Sequence, residues 1–277
     1  RRSTDFRCGG TGRVVVKVSA DMEEDFLKKV VAAEFLNPYF VINLETYGTE
    51  GPDVSVWAAE VDRTDPILFY LYHGTAQLIG PKRPAAAAVI EAAEFVNEQK
   101  LTMLSGPEAL IRGIADRLGR SARVTPGVLM CLKLPRASKR RASRRADTRD
   151  LDGIAELICS DREIGGHYDV VGLRKQLAER LTHHGCRNYV ISDDAGLACH
   201  GATYAESASA AVIGGIVTRA DVRGRGLASS VIVDLQSDLT AAGKTCYLYC
   251  YQEQLVRWYE THGWRKAASY AKLEFTS

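Results

Sequence analysis

The sequence has almost no charge bias: 36 Lys and Arg stand against 34 Asp and Glu, a net of +2 over 277 residues. A near-neutral chain exerts no general pull on polyanions, so charge alone points to neither nucleic acid nor membrane. Paired cysteines are also missing. The seven, at positions 8, 131, 159, 186, 199, 246 and 250, never form a C-x-x-C. Cys246 and Cys250 stand four apart on one face of an expected strand, without the second pair that zinc spacing needs. Reduced thiols in a cytoplasmic protein follow, with no metal site expected. No apolar run has the length of a membrane span, and no signal peptide is visible. Arg1 at the head implies a missing or processed N-terminus, and residues 1–12 read as irregular. What the chain does have is 46% hydrophobic residues, enough for a substantial core, and a length suggesting about two domains.

A basic stretch marks the middle. Residues 136–149 hold seven Lys or Arg and one Asp. No aromatic residue interleaves to stack on bases, so a solvated linker is favoured over a nucleic-acid patch. No nucleic-acid partner is expected.

The most informative segment is Arg223-Gly224-Arg225-Gly226-Leu227-Ala228. It follows an apolar run, 210–217, and opens a helical pattern with Leu227, Val231, Leu235 and Leu239 on one face. Strand, glycine-bearing loop and helix start, in that order, make an anion site. The first helical N–H groups lack intrahelical partners, and the helix dipole favours negative charge there. Gly224 and Gly226 allow close backbone approach, and Arg223 adds a planar cation.

These residues resemble the acyl-CoA signature of the GNAT acyltransferase superfamily, R/Q-x-x-G-x-G/A, with Arg223, Gly226 and Ala228 in place. A second family motif, Y-x-x-x-G-F after the next strand, is matched by Tyr259-Glu260-Thr261-His262-Gly263-Trp264, Trp264 standing for Phe. The strand before it is the β run 245–251. The resemblance covers the chain from about Arg145 to its end. It departs where many members carry Asn and Ala: Gln252 or Glu253, and Leu255, stand there.

The resemblance implies an α/β (α+β) fold of two GNAT-like domains. Each has a mixed, mostly antiparallel central sheet flanked by helices, and the C-terminal one has a splayed central strand pair. The expected division is 1–134 for a degenerate domain, 135–145 for the linker and 146–277 for the catalytic domain. Within the latter, helices are expected at 150–158 and 171–181. Antiparallel strands are expected at 188–192 and 198–206 across Asp193–Gly196, and the central strand at 211–218. Gly214 and Gly215 fit a bulge or close ligand approach, and equally two small residues under a packed neighbour.

The first half hides a repeat. A slide of 144 residues sets Gly80 on Gly224, Lys100 on Lys244 and Gly119 on Gly263. The element order follows: strand 67–72, helix 85–97, strand 101–104, helix 108–118. In that ungapped register Ile79, Lys82 and Pro84 face the phosphate-loop positions and Ala115 faces Tyr259. The first copy therefore lacks both carriers. The patterns 36–44 and 56–60 are similar to bacterial two-domain GNAT proteins with a degenerate first domain.

The resemblance implies acetyl-CoA, or another acyl-CoA, as co-substrate. It is expected on Ile216, Val217, Arg223, Gly224, Arg225, Gly226, Leu227, Ala228 and Ser229, with a backbone N–H of Ile216 or Val217 near the acyl oxygen. Family resemblance puts the general acid on Tyr259; its other reading is a core aromatic. The acceptor is expected to be a small-molecule or peptide amine, and a homodimer is open. Glu206, Glu163, His167 and His200 are the candidate bases, each with a surface or core role as the blander reading. Two other classes stay open: an acyl-CoA sensor without turnover, and transfer involving aminoacyl-tRNA or a peptidoglycan precursor.

Overall fold

The computed structural model describes residues 15–18, 37–59, 66–135, 141–162, 164–166, 168–183 and 185–275. Along the first half run β1 (Val15–Lys17), α1 (Pro38–Tyr47), β2 (Glu50–Gly51), β3 (Val54–Ala59), β4 (Ile67–Tyr72) and β5 (Thr75–Ile79). Then come α2 (Ala86–Glu98), β6 (Met103–Pro107), α3 (Glu108–Ala115) and β7 (Ala122–Leu132). The second half runs β8 (Arg144–Arg145), α4 (Leu151–Ser160), α5 (Val170–His183), β9 (Asn188–Asp193), β10 (Gly196–Glu206) and β11 (Ala210–Thr218). It ends with α6 (Leu227–Ala241), β12 (Thr245–Cys250), α7 (Glu253–Glu260) and β13 (Trp264–Phe275). Among the described residues, no helix is long and apolar enough to cross a membrane.

Contacts divide the chain into two compact units. One comprises residues 1–130 with 249–256 and 266–277; the other comprises 131–248 with 257–265. The first unit thus takes back two stretches from the C-terminal part of the chain.

In the first unit the strand order is β1-β3-β4-β5-β6-β13. All neighbours are antiparallel except β5 and β6. The β4–β5 hairpin turns at His73-Gly74, both with positive φ, a turn that matches the twist of the two strands. Helices α2 and α3 bury Ala92, Phe95, Val96, Leu110, Ile111 and Ile114 on Phe69, Leu78, Leu104 and Leu273. Helix α1 packs Phe40, Val41 and Leu44 on Val56, Leu68 and Tyr70. Pro38 starts α1, where its missing N–H costs nothing, and holds Asn37 in an extended conformation.

Asn37 has a specific task. The β5–β6 parallel ladder runs from Thr75–Met103 to Gln77–Ser105. At its end the fully buried Asn37 amide donates to Leu78 O (3.3 Å) and to Ser105 O (3.2 Å), one carbonyl from each strand. Its Oδ1 accepts from the Tyr249 hydroxyl at 3.0 Å. Tyr39 stacks on Tyr249 with ring centroids 5.3 Å apart.

In the second unit the order is β12-β11-β10-β9-β8, with β11–β12 parallel and the rest antiparallel. The β11–β12 ladder ends at Val212–Tyr247, while β11 continues to Thr218. The two strands part there, which is the expected splay. Helices α4 and α5 bury Ile154, Leu157, Ile158, Leu173 and Leu177 on Val190 and Val217. Helix α6 turns Val231, Leu235 and Leu239 inward, as the periodicity of the sequence requires. Asp234 on the same helix is buried and accepts from Ala142 N, Ser143 N and Ser143 Oγ, so it fastens the segment leading into β8.

The repeat exists as element order, but the ungapped slide does not register it. Helices α2 and α6 begin at 86 and 227, and helices α3 and α7 at 108 and 253, so the offset changes along the chain. Matched helix on helix, the stretch facing Arg223–Ala228 is Lys82-Arg83-Pro84-Ala85-Ala86-Ala87, and buried Ile114 faces Tyr259. Insertions in the loops absorb the difference. In that match the first copy still has no glycine where the second has Gly224 and Gly226, and no phenol.

Candidate active site

The loop between β11 and α6 is built from both ends. At its entrance Arg219 N donates to Ala198 O. The Arg219 guanidinium reaches Asp193 at 2.6 Å, Asp221 at 2.7 Å and the Leu197 carbonyl at 3.2 Å. These contacts tie the base of the loop to the β9–β10 hairpin. They raise the Arg219 pKa further and hold the carboxyls of Asp193 and Asp221 below their ordinary range.

Arg223 is committed to the protein. Its Nε donates to Thr218 O (3.0 Å) and its Nη2 to Asp161 Oδ2 (2.9 Å). The side chain therefore braces the loop back on the strand end and on the residue that caps α4. In this conformation the planar cation expected here is tied to the strand end and to a carboxylate within its reach.

Gly224 and Gly226 take φ of +77° and +79°. A Cβ at either position would meet nothing within 4 Å, so it is the left-handed backbone that selects glycine here. Gly226 is the N-cap of α6, and no side chain caps that helix. Ser230 N donates back to Gly226 O. The N–H groups of Leu227, Ala228 and Ser229 precede it and have no carbonyl within the helix to receive them. Arg223, Gly224, Arg225 and Gly226 are all exposed. Three unpaired donors at the positive end of a fifteen-residue helix, beside Arg225, form an open anion cradle.

Ile216 and Val217 lie on the part of β11 beyond its ladder with β12. Just before them β11 kinks. Its register with β10 is His200–Val217, then Ala202–Gly214, so Gly215 and Ile216 together oppose Gly201. Gly215 has φ +61°. The expected bulge is present. The Tyr204 ring covers it: a Cβ at Gly214 would fall 2.8 Å from that ring, and one at Gly215 would fall 2.6 Å from the Tyr204 hydroxyl. Both readings of the glycine pair are therefore realised at once. Burial pushes the Tyr204 phenol up to about 12.

Tyr259 is half-buried near the end of α7, edge-on to Trp258 (4.9 Å) and to the fully buried Trp264 (6.1 Å). Among the candidate bases, Glu206 is sequestered. It pairs with Arg187 (3.2 Å) and Lys244 (3.0 Å) and accepts from Thr203 Oγ1 (2.7 Å). His200 is fully buried between two polar partners. These two serve the core. Glu163 and His167 lie outside the described residues. The roles of Arg219, Asp161 and Tyr204, and the partners of His200, escaped sequence reasoning, because each acts through a partner distant in the chain.

No protein-family model and no curated relative matches the sequence. Solved structures do match in fold. An acetyltransferase of the GNAT family from Colwellia psychrerythraea superposes with a TM-score of 0.58 at 12% identity, over 95% of this chain and 99% of its own. A GCN5-related N-acetyltransferase from Kribbella flavida gives 0.56 at 12% identity, over 90% and 95%. A tandem GNAT protein from the clavulanic acid biosynthesis pathway gives 0.54 at 13% identity, over 95% and 98%. The chain has the fold of the GNAT acetyltransferases, in its tandem form.

Proposed function

We propose that this protein moves an acetyl or other acyl group from acyl-CoA to an amine, using the second unit. The observation that carries this reading is the junction of two features on one strand. The splay and bulge of β11 come first, and the glycine-lined N-terminus of α6 follows within a few residues. A phosphate cradle alone suits many nucleotides. A cradle reached from a strand with free edge groups suits a pyrophosphate that carries a long amide-bearing arm.

Bound acyl-CoA would supply an activated thioester. Leu227, Ala228 and Ser229 N–H would hold its pyrophosphate, with Arg225 beside them and Arg223 bracing the loop. The edge of β11 past its ladder with β12 would hydrogen-bond the pantetheine amides. An N–H of Ile216 or Val217 would meet the negative charge that develops on the acyl oxygen. Tyr259 would give its proton to the departing sulfur as the amine nitrogen bonds to the carbonyl carbon, and the ammonium proton would leave to water.

Titration calorimetry of the full chain with acetyl-CoA tests the reading. A saturable site that disappears in Gly226→Pro is expected, since proline cannot take the positive φ found there. Absence of binding by the unaltered chain to acetyl-CoA and to longer acyl-CoAs would refute it.

A further inference from the structure

The kink in β11 is held from the next strand by a side chain that takes no part in the transfer chemistry. His200, on β10, has no solvent exposure. Its Nδ1 lies 2.8 Å from the Gly215 carbonyl oxygen, and its Nε2 lies 2.9 Å from the Oδ1 position of Asn188 on β9. Burial lowers its pKa to about 4, so the ring is neutral near pH 7. A neutral imidazole donates through one nitrogen and accepts through the other. A carbonyl can only accept, so Nδ1–H donates to Gly215 O. Nε2 then accepts, which requires the Asn188 amide turned by half so that its NH2 takes the place of Oδ1.

The carbonyl so held sits at the bulge. A bulge leaves a ladder group without its strand partner, and a buried carbonyl without a donor is costly. His200 replaces the missing ladder donor. Asn188 is itself 3% exposed, so the chain Asn188–His200–Gly215 crosses three strands inside the core. Its far end is the peptide that joins Gly215 to Ile216. A hydrogen bond on Gly215 O fixes the plane of that peptide, and the Ile216 N–H belongs to the same plane. Tyr204 covers the kink, leaving little room for another arrangement.

We propose that His200, oriented by Asn188, is a positioning residue that aims the Ile216 and Val217 amides at the acyl end of the co-substrate. This rests on the acyl-CoA reading above and adds to it a residue that touches neither substrate. It separates two parts of one ligand. The phosphates depend on the α6 cradle; the acyl–pantetheine arm depends on the kink.

The test compares acetyl-CoA with adenosine 3′,5′-bisphosphate, which carries phosphates but no arm, by calorimetry on the full chain. His200→Leu should weaken acetyl-CoA about ten-fold or more, the scale of one lost buried hydrogen bond, and change bisphosphate affinity less than about two-fold. His200→Asn, which keeps a donor at the Nδ1 position, should recover most of the loss. Amide hydrogen exchange at 215–217 in the free protein should quicken in the leucine variant and not in the asparagine one. Should His200→Leu fail to fold, Asn188→Ala should show the same split at smaller size. Equal loss for both ligands, or loss for neither, overturns the proposal. An unaltered chain that binds neither ligand defeats the acyl-CoA reading and this proposal with it, an outcome distinct from the other two.

Discussion

At the scale of single residues, two side chains separate chemistry from structure. Tyr259 is half-buried among aromatic neighbours, so its ring packs, and the proposed reaction asks its hydroxyl for a proton. Tyr259→Phe keeps the ring. The expected outcome is acetyl-CoA affinity within about two-fold of the unaltered chain, with turnover down by about 10² or more, the usual worth of a general acid. Unchanged turnover would reassign Tyr259 to packing. His200 gives a stability prediction instead. Its folded pKa is about 4, against about 6.5 for an exposed imidazole. The unfolded chain binds the proton more readily between those values. Stability from this group is therefore complete above about pH 6.5 and falls as pH drops towards 4, by on the order of 3 kcal/mol in all. Urea midpoints measured between pH 7 and pH 4.5 should fall more steeply for the unaltered chain than for His200→Asn. Parallel curves would mean that the imidazole contributes nothing to the pH dependence.

At the scale of elements, the β11–loop–α6 segment was legible because its signals are local. An apolar run, glycines where φ must be positive, and a 3.6-residue apolar period each report a backbone state within a few residues. Helix α6, strand β11 and the β9–β10 hairpin fall where the sequence put them. Gly214-Gly215 pointed to a bulge, and the structure has one. What was not legible is what holds the segment. The pairs Arg219–Asp193, Arg223–Asp161 and His200–Gly215 join positions 26, 62 and 15 residues apart. No spacing rule links such pairs. The same applies to β13, whose residues Tyr270–Glu274 pair with Met103–Pro107. A mutation can separate conformation from contact in the loop. Gly226 has open space for a Cβ but a left-handed backbone. Gly226→Ala should therefore cost about 1–2 kcal/mol in thermal or urea unfolding, the price of that backbone for an L residue, and weaken acetyl-CoA without abolishing it. An affinity lost entirely in the alanine variant would mean that the space itself is needed by the ligand.

At the scale of the whole molecule, the two copies of one element order have met different fates, and the difference lies in the gap between the parallel strands. In the second unit β11 leaves β12 after Val212 and runs on to Thr218. In the first unit the equivalent place is closed by the chain itself. Asn37 joins Leu78 O to Ser105 O, and Tyr249 joins Asn37. A pantetheine amide would have to displace bonds that are already satisfied and buried, and each would cost about 1–3 kcal/mol to leave unmade. The loop that follows β5 offers Pro81 and Pro84, which carry no N–H, and no glycine at a helix cap. Lys82 and Arg83 add charge there, and the first N–H groups of α2 are as open as those of α6, but no positive-φ glycine in that loop lets a phosphate lie close to the backbone. Calorimetry of acetyl-CoA on the full chain should therefore give one site per chain. A stoichiometry of two, or a single site that survives Gly226→Pro and is lost on changing Lys82 and Arg83 to alanine, would place the co-substrate on the first copy instead.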